Sequence, residues 1–197
     1  MRRVLLPVVH DVTMRLYFGN LTLGARLFFL SATSPLAQHC VRDGCRAFET
    51  ATHCFFECEP VQILWQTLWE PWAPAFRCSL GWRLLIFPSD RDVHEDWRHQ
   101  RDTLLILWHI HTTIVFHALW RLRNDIHFNG VRVVSPSIPR LGFSFRQHYQ
   151  HLYRRSAEFH LVSDDIKTVL RRLGFPEPID DDDLRLYGSP SGRIRFL

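Results

Sequence analysis

Residues 40–58, Cys-Val-Arg-Asp-Gly-Cys-Arg-Ala-Phe-Glu-Thr-Ala-Thr-His-Cys-Phe-Phe-Glu-Cys, hold four of the chain's five cysteines. Cys40, Cys45, His53 and Cys58 stand there at C-x4-C-x7-H-x4-C spacing. Three thiols and one imidazole suit a tetrahedral zinc ion, which takes sulfur and nitrogen donors and closes a structural site with four of them. Asp43-Gly44 supplies a tight turn between the first two ligands. The H-x4-C step delivers the second pair from one short turn or helix start. Cys54, the neighbour of His53, is expected to point away from the ion and pack as a small apolar side chain. On spacing alone, a set of free, partly buried intracellular thiols is the competing reading. A disulfide framework fits less well. Cys78 makes the count odd, and Met1 to Leu6 lacks the long apolar core and small-residue cleavage site of a secretory signal.

Outward from this stretch the pattern is helical, and the expected fold is mainly α: a small zinc-stabilised module flanked by helices. Four parts are expected: a helical pair in 1–35, the CCHC module in 36–72, an aromatic-rich helical region in 73–130, and a linker, basic-aromatic helix and tail in 131–197. Asp11 is placed to cap a helix running to Phe18. Leu23, Leu27 and Leu30 share a face at helical spacing and predict a second helix. Glu59-Pro60 starts another, with Ile63, Leu64 and Leu68 on its apolar face. Trp65, Trp69 and Trp72 follow. They read as the cover of a small core in preference to a platform for stacked bases. Cys78 to Phe87 is apolar and fits strand or helix.

The longest helical signal runs from Arg98 to Phe128. Leu104, Trp108, His111, Val115, Leu119, Leu122 and Ile126 step by three or four. No Asp, Glu, Lys or Arg occurs from Thr103 to Trp120, so the stretch approaches the length of a membrane span. His109, His111, His117 and three threonines lower its hydrophobicity, and a helix buried in a globular body is expected instead. The three histidines read as core or solvated groups, because His109 and His111 lie on different faces. Val131 to Pro139 reads as a linker. Arg146 to Arg155 interleaves basic and aromatic residues, either on a solvated helix face or against nucleic acid. Ser163-Asp164-Asp165 is placed to open a last helix ended by Gly174 and Pro176, before the acidic run Asp180 to Asp183.

Two stretches carry a family resemblance. Cys45, Glu49, Thr50, His53, Phe55, Cys58, Leu64 and Trp65 fall on the pattern of the zinc-binding region that follows the reverse transcriptase domain of non-LTR retrotransposons. Trp120, Arg123, Asn124 and Phe128 are similar to a W-x-x-R-N-x-x-x-F pattern that follows such modules. This chain departs from the family at its first ligand pair, which is C-x4-C where the family has C-x2-C, so His39 stands as an alternative to Cys40. The resemblance implies a detached C-terminal piece of a retrotransposon polyprotein, intracellular and at work in the nucleus, with DNA or RNA as its partner.

Charge is compatible with that partner. The net charge is +4, and 23 of the 24 basic residues are arginine, the side chain that grips phosphate with two parallel hydrogen bonds. Arg42, Arg46, Arg121 and Arg123, close to the two motif stretches, are the expected phosphate contacts. No nucleotide-binding glycine loop, hydrolase elbow, H-E-x-x-H or polymerase aspartate pair occurs, so no enzyme activity and no small-molecule substrate is expected of this chain alone. Two other readings remain: a helical protein-interaction module that docks through the aromatic helix of 103–128, and a retroelement remnant without a selected role.

Overall fold

In the computed structural model, residues 7–30 and 32–179 are described. The acidic run Asp180 to Asp183 and the final residues 188–197 lie outside them. The fold is mainly α, as the periodicity predicts. Among the described residues the only β-type pairings are two isolated bridges, His39 with Phe48 and Phe76 with Val93. Six α-helices are described: α1 (Pro7–Tyr17), α2 (Glu59–Trp69), α3 (Trp82–Ile86), α4 (Arg101–Asn129), α5 (Ile138–Arg154) and α6 (Ser163–Arg172).

Everything is arranged around α4. Its residues from Ile110 to Phe116 are buried without a break, so no face of that segment meets solvent. A helix that is apolar all round must be enclosed, and α1, α5 and α6 all pack on this one. Gly130 ends it in the left-handed region at φ +64°, with its N–H and that of Val131 both donated to the Asp125 carbonyl. Glu95–Asn129 is long and apolar enough to cross a membrane, but 67% of its most apolar window is buried inside the fold. This chain's own helices cover residues 110–116, while Arg121, His127 and Phe128 toward the end of the helix stay exposed.

The core is aromatic. Trp108 meets Trp72, Phe76 and Trp69 at ring-centroid distances of 5.0, 5.3 and 5.6 Å. Its indole N–H donates to the Leu84 carbonyl at 3.0 Å, which fixes the short α3 within the 78–87 stretch. Trp65 and Trp72 are fully buried, so they form the core cover and not a base-stacking platform. On α5, Tyr149 turns inward beside His111 at 3.3 Å, while Arg146 faces solvent. Residues 131–137 connect α4 to α5 without regular structure, as the linker reading expects.

Two sequence expectations need correction in the N-terminal part. Asp11 lies inside α1, which begins at Pro7, and pairs with Arg15 one turn on at 2.9 Å instead of capping the helix. The predicted helix over Leu23 to Leu30 is two single 3-10 turns, Gly24–Arg26 and Phe28–Leu30. The leucine spacing fits a helix, but Gly24 is pressed against the chain at Ala37 and Gln38. A Cβ there would lie 2.8 Å from the Ala37 oxygen. Its N–H is also taken by the Glu49 carboxylate at 2.7 Å. Tertiary contacts at residue 24 override the local period.

Candidate metal centre

Residues 39–48 form a tight reversal. Cys40 donates its N–H to the Ala47 carbonyl at 2.9 Å, Glu49 donates to Gln38 at 2.9 Å, and Cys45 donates back to Arg42 at 3.1 Å. Gly44, at φ +78°, makes the turn possible. This presents Cys40 and Cys45 on one side of a loop. His39 is outside the cluster, stacked on Phe48 at 5.0 Å, so the position open between Cys40 and His39 falls to Cys40.

The second pair comes from a different device. Thr50 accepts the His53 N–H on its hydroxyl at 3.0 Å and caps the turn that begins at Ala51. His53–Glu57 is then a single π turn, closed by the Cys58 N–H on the His53 carbonyl at 3.0 Å. On a regular α-helix, residues five apart would be rotated by about 140° from one another. The wider π turn brings His53 and Cys58 back toward the same side. Cys58 is then the residue that caps α2, and its carbonyl accepts from Val61 and Gln62.

The four ligand atoms of Cys40, Cys45, His53 and Cys58 all lie within 4.8 Å of one another. The Cys40 and Cys58 sulfurs are 3.9 Å apart, and the Cys45 sulfur is 3.3 Å from His53 Nε2. A tetrahedral ion with bonds of about 2.3 Å to sulfur and 2.0 Å to nitrogen sets S···S near ~3.8 Å and S···N near ~3.5 Å. These two separations fit that geometry, and the Cys40 and Cys58 sulfurs are too distant for a disulfide. The cluster could therefore hold a metal ion. Cys54 is fully buried and turned away, as expected, and burial pushes its thiol up to about 12. Cys40 is drawn down to about 4, first by its hydrogen bond with Cys58, against the opposing effect of burial, with Arg42 adding to the lowering. The same hydrogen bond and burial push Cys58 up.

The arginines divide. Arg46 and Arg121 are exposed. Arg42 and Arg123 are buried, which corrects their assignment as phosphate contacts. Arg42 lies beneath the cluster, donating to the Cys54 carbonyl at 3.3 Å and approaching Cys40 Sγ at 3.9 Å. Arg123 makes a two-pronged ion pair with Glu49, Nε to Oε1 at 3.0 Å and the terminal nitrogen to Oε2 at 2.7 Å. The side chains of both are almost fully enclosed. Glu49 thus joins the metal loop, α4 and Gly24 at one carboxylate.

Several residues of the two motif stretches have structural roles, whereas Phe128 is exposed. Thr50 caps, Phe55 accepts the Trp65 indole N–H on its carbonyl at 2.8 Å, and Leu64 is core. Glu49 and Arg123 join the stretches to each other across 74 positions. The histidines of α4 bring no second cluster among the described residues: His111 is enclosed by Trp72, Trp108, Phe145 and Phe175. Comparison of the whole chain with protein families, curated proteins and solved structures gives no match in any of the three.

Proposed function

We propose that the cluster binds one structural Zn2+ ion, and that the chain is a zinc-binding, non-catalytic fragment of a retrotransposon reverse transcriptase-like polyprotein that contacts DNA or RNA. The observation that carries the metal half is the convergence of three sulfurs and one imidazole nitrogen within 4.8 Å. Four protein donors leave no open position, which is the arrangement of a structural site and not of a catalytic one. Zinc is preferred to hard ions such as calcium or magnesium because the donors are three sulfurs and one nitrogen, without carboxylate.

The nucleic-acid half is supported by the basic charge and by the exposure of Arg46, at the tip of the metal loop, and Arg121, on α4. Arg146 on α5 extends the exposed basic surface. Such contacts go to the backbone and give strongly salt-dependent, sequence-tolerant binding. The relation to retrotransposon polyproteins rests on the two motif stretches.

Metal content by native mass spectrometry tests the first half. One zinc per chain is expected, lost in His53→Ala and Cys58→Ala. A metal-free wild type purified with zinc present refutes it. Titration with a fluorescent oligonucleotide at two salt concentrations tests the second. The Arg46→Ala, Arg121→Ala variant is expected to bind more weakly and with a shallower salt slope, by about one unit for each phosphate it no longer neutralises. Equal affinity and slope in variant and wild type would refute the assignment.

A further inference from the structure

Arg42 is 2% exposed, yet no carboxylate pairs with it among the described residues. There its hydrogen-bond partners are the Cys54 carbonyl and the Cys40 sulfur, and its Nε has no partner. The carboxylate that follows the loop, Glu49, is already occupied by Arg123 and by the Gly24 N–H. A guanidinium buried without a counter-charge is costly, and the cost is relieved only by an anion close by. The groups beside it that can supply negative charge are the cysteine sulfurs of the cluster.

Charge counting then identifies the anion. Three thiolates and a neutral imidazole around a divalent ion carry a net charge of minus one. A monovalent ion would leave minus two, and a trivalent ion would leave zero. One buried arginine balances only the divalent case. Resting on the metal reading above, we infer that Arg42 is the counter-ion of the centre: its buried positive charge neutralises a divalent tris-thiolate site and tunes that site's affinity for the metal. The guanidinium reaches Cys40 with one terminal nitrogen and spans to Cys54 with the other. It therefore also holds the backbone of the second ligand turn against the first. Groups behind the ligands that hold charge and orientation alter metal affinity by about 10–100-fold when removed.

The experiment is a charge-swap cycle on the full chain, with Co2+ as the spectroscopic probe and Zn2+ measured by competition with a chromophoric chelator. Arg42→Met keeps most of the length of the side chain and removes its charge. It is expected to keep the cobalt spectrum of a three-sulfur, one-nitrogen site but to bind about 10–100-fold more weakly, with Arg42→Lys recovering part of the loss. Cys45→His converts the centre to two thiolates and two imidazoles, which is neutral with a divalent ion. In that background Arg42→Met is expected to cost about threefold or less, because no net charge remains to be balanced. Equal losses in both backgrounds would mean that Arg42 only packs, and would overturn the inference. So would wild-type affinity in Arg42→Met. If the wild type takes up no cobalt or zinc, the metal reading itself fails, a result distinct from either. Should Arg42→Met not fold, Arg42→Gln, which also removes the charge, takes its place in the two backgrounds, where an equal change in both overturns the inference.

Discussion

The two residue pairs of the candidate metal centre are built in opposite ways. Cys40 and Cys45 stand on a loop whose large apolar neighbours, Phe48, Leu36 and Phe28, are all more than half exposed. His53 and Cys58 stand on a turn that runs directly into the core. Phe55 packs on Phe116 and Trp120 of α4 at 5.6 and 6.5 Å, and Trp65 locks the turn through the Phe55 carbonyl. One half has a folded scaffold behind it. The other is held by backbone hydrogen bonds, by Arg42 and by the Glu49–Arg123 pair at its end, and its large apolar side chains add little burial to offset the entropy cost of ordering it. The metal is therefore expected to organise the loop and merely to occupy the turn.

Removal of the metal tests this contrast with the largest expected effect. Structural zinc sites contribute about 10–16 kcal/mol of apparent binding free energy in peptides that fold only with the ion. Here the loss should be local. After chelation, hydrogen exchange at the Cys40, Cys45 and Glu49 amides should rise by orders of magnitude, while the Cys58, Val61 and Trp65 amides stay protected. Equal deprotection of both halves would mean that the turn is no more self-sufficient than the loop.

The next largest effect concerns the tie between the halves. Glu49 follows the loop, and Arg123 belongs to α4. Leaving either charge buried and alone should cost about 3–5 kcal/mol. In urea unfolding, Glu49→Gln and Arg123→Met should each lower the midpoint strongly, and the double variant should recover part of the loss. Additive losses would show that the pair contributes through packing alone.

Not all of this is legible in the sequence, and the reasons are physical. The set of four side chains that converge is, because donor type and spacing are local. The long apolar period of α4 also is, because nothing but enclosure accommodates it. The π turn is not: H-x4-C is compatible with several short turns, and only packing of Phe55 and Trp65 selects this one. The leucine period over residues 23–30 misleads because Gly24 is held by residues 13 and 25 positions on. The arginines mislead because charge gives no depth. Arg42 and Arg123 look like Arg46 and Arg121 until the loop closes over one and Glu49 meets the other. Both halves of the Glu49–Arg123 pair stand in motif stretches, but nothing local joins them.

A smaller effect lies in the core that supports the turn. His111 is wholly enclosed among aromatic rings, with Nε2 unpartnered, and burial lowers its pKa to about 3. A histidine depressed in the folded state is neutral there and takes up a proton on unfolding. Its neutral form is therefore compatible with folding above the ordinary value near ~6.5, and stability is lost as pH falls from there toward 3. One such group changes stability by about 1.4 kcal/mol per pH unit in that window. His111→Phe should lose less stability than wild type between about pH 6.5 and pH 5, measured by urea unfolding at matched zinc. Because acid also protonates the thiolates in both proteins, only the difference between them reports on His111. Parallel curves would move the acid sensitivity to His109, His117 or His148, which burial also lowers.

The smallest effect discriminates most finely between the two ligand pairs. Thr50 caps the second turn through its hydroxyl, and Thr50→Ala should cost about 1 kcal/mol. Where that cost is felt depends on whether the turn exists before the metal arrives. If the core preforms it, the lost cap lowers the global unfolding midpoint and leaves zinc affinity unchanged, because the capped and metal-bound states share the same turn. If the metal folds the turn, the same cost is taken from binding and affinity falls by about fivefold. Gly44→Ala is the matching change on the loop. It places a side chain at φ +78° and strains the reversal that carries Cys40 and Cys45. It should weaken zinc binding while scarcely moving the unfolding of α4. Opposite signatures from Thr50 and Gly44 would establish that one pair is prefolded and the other recruited; identical signatures would erase the distinction.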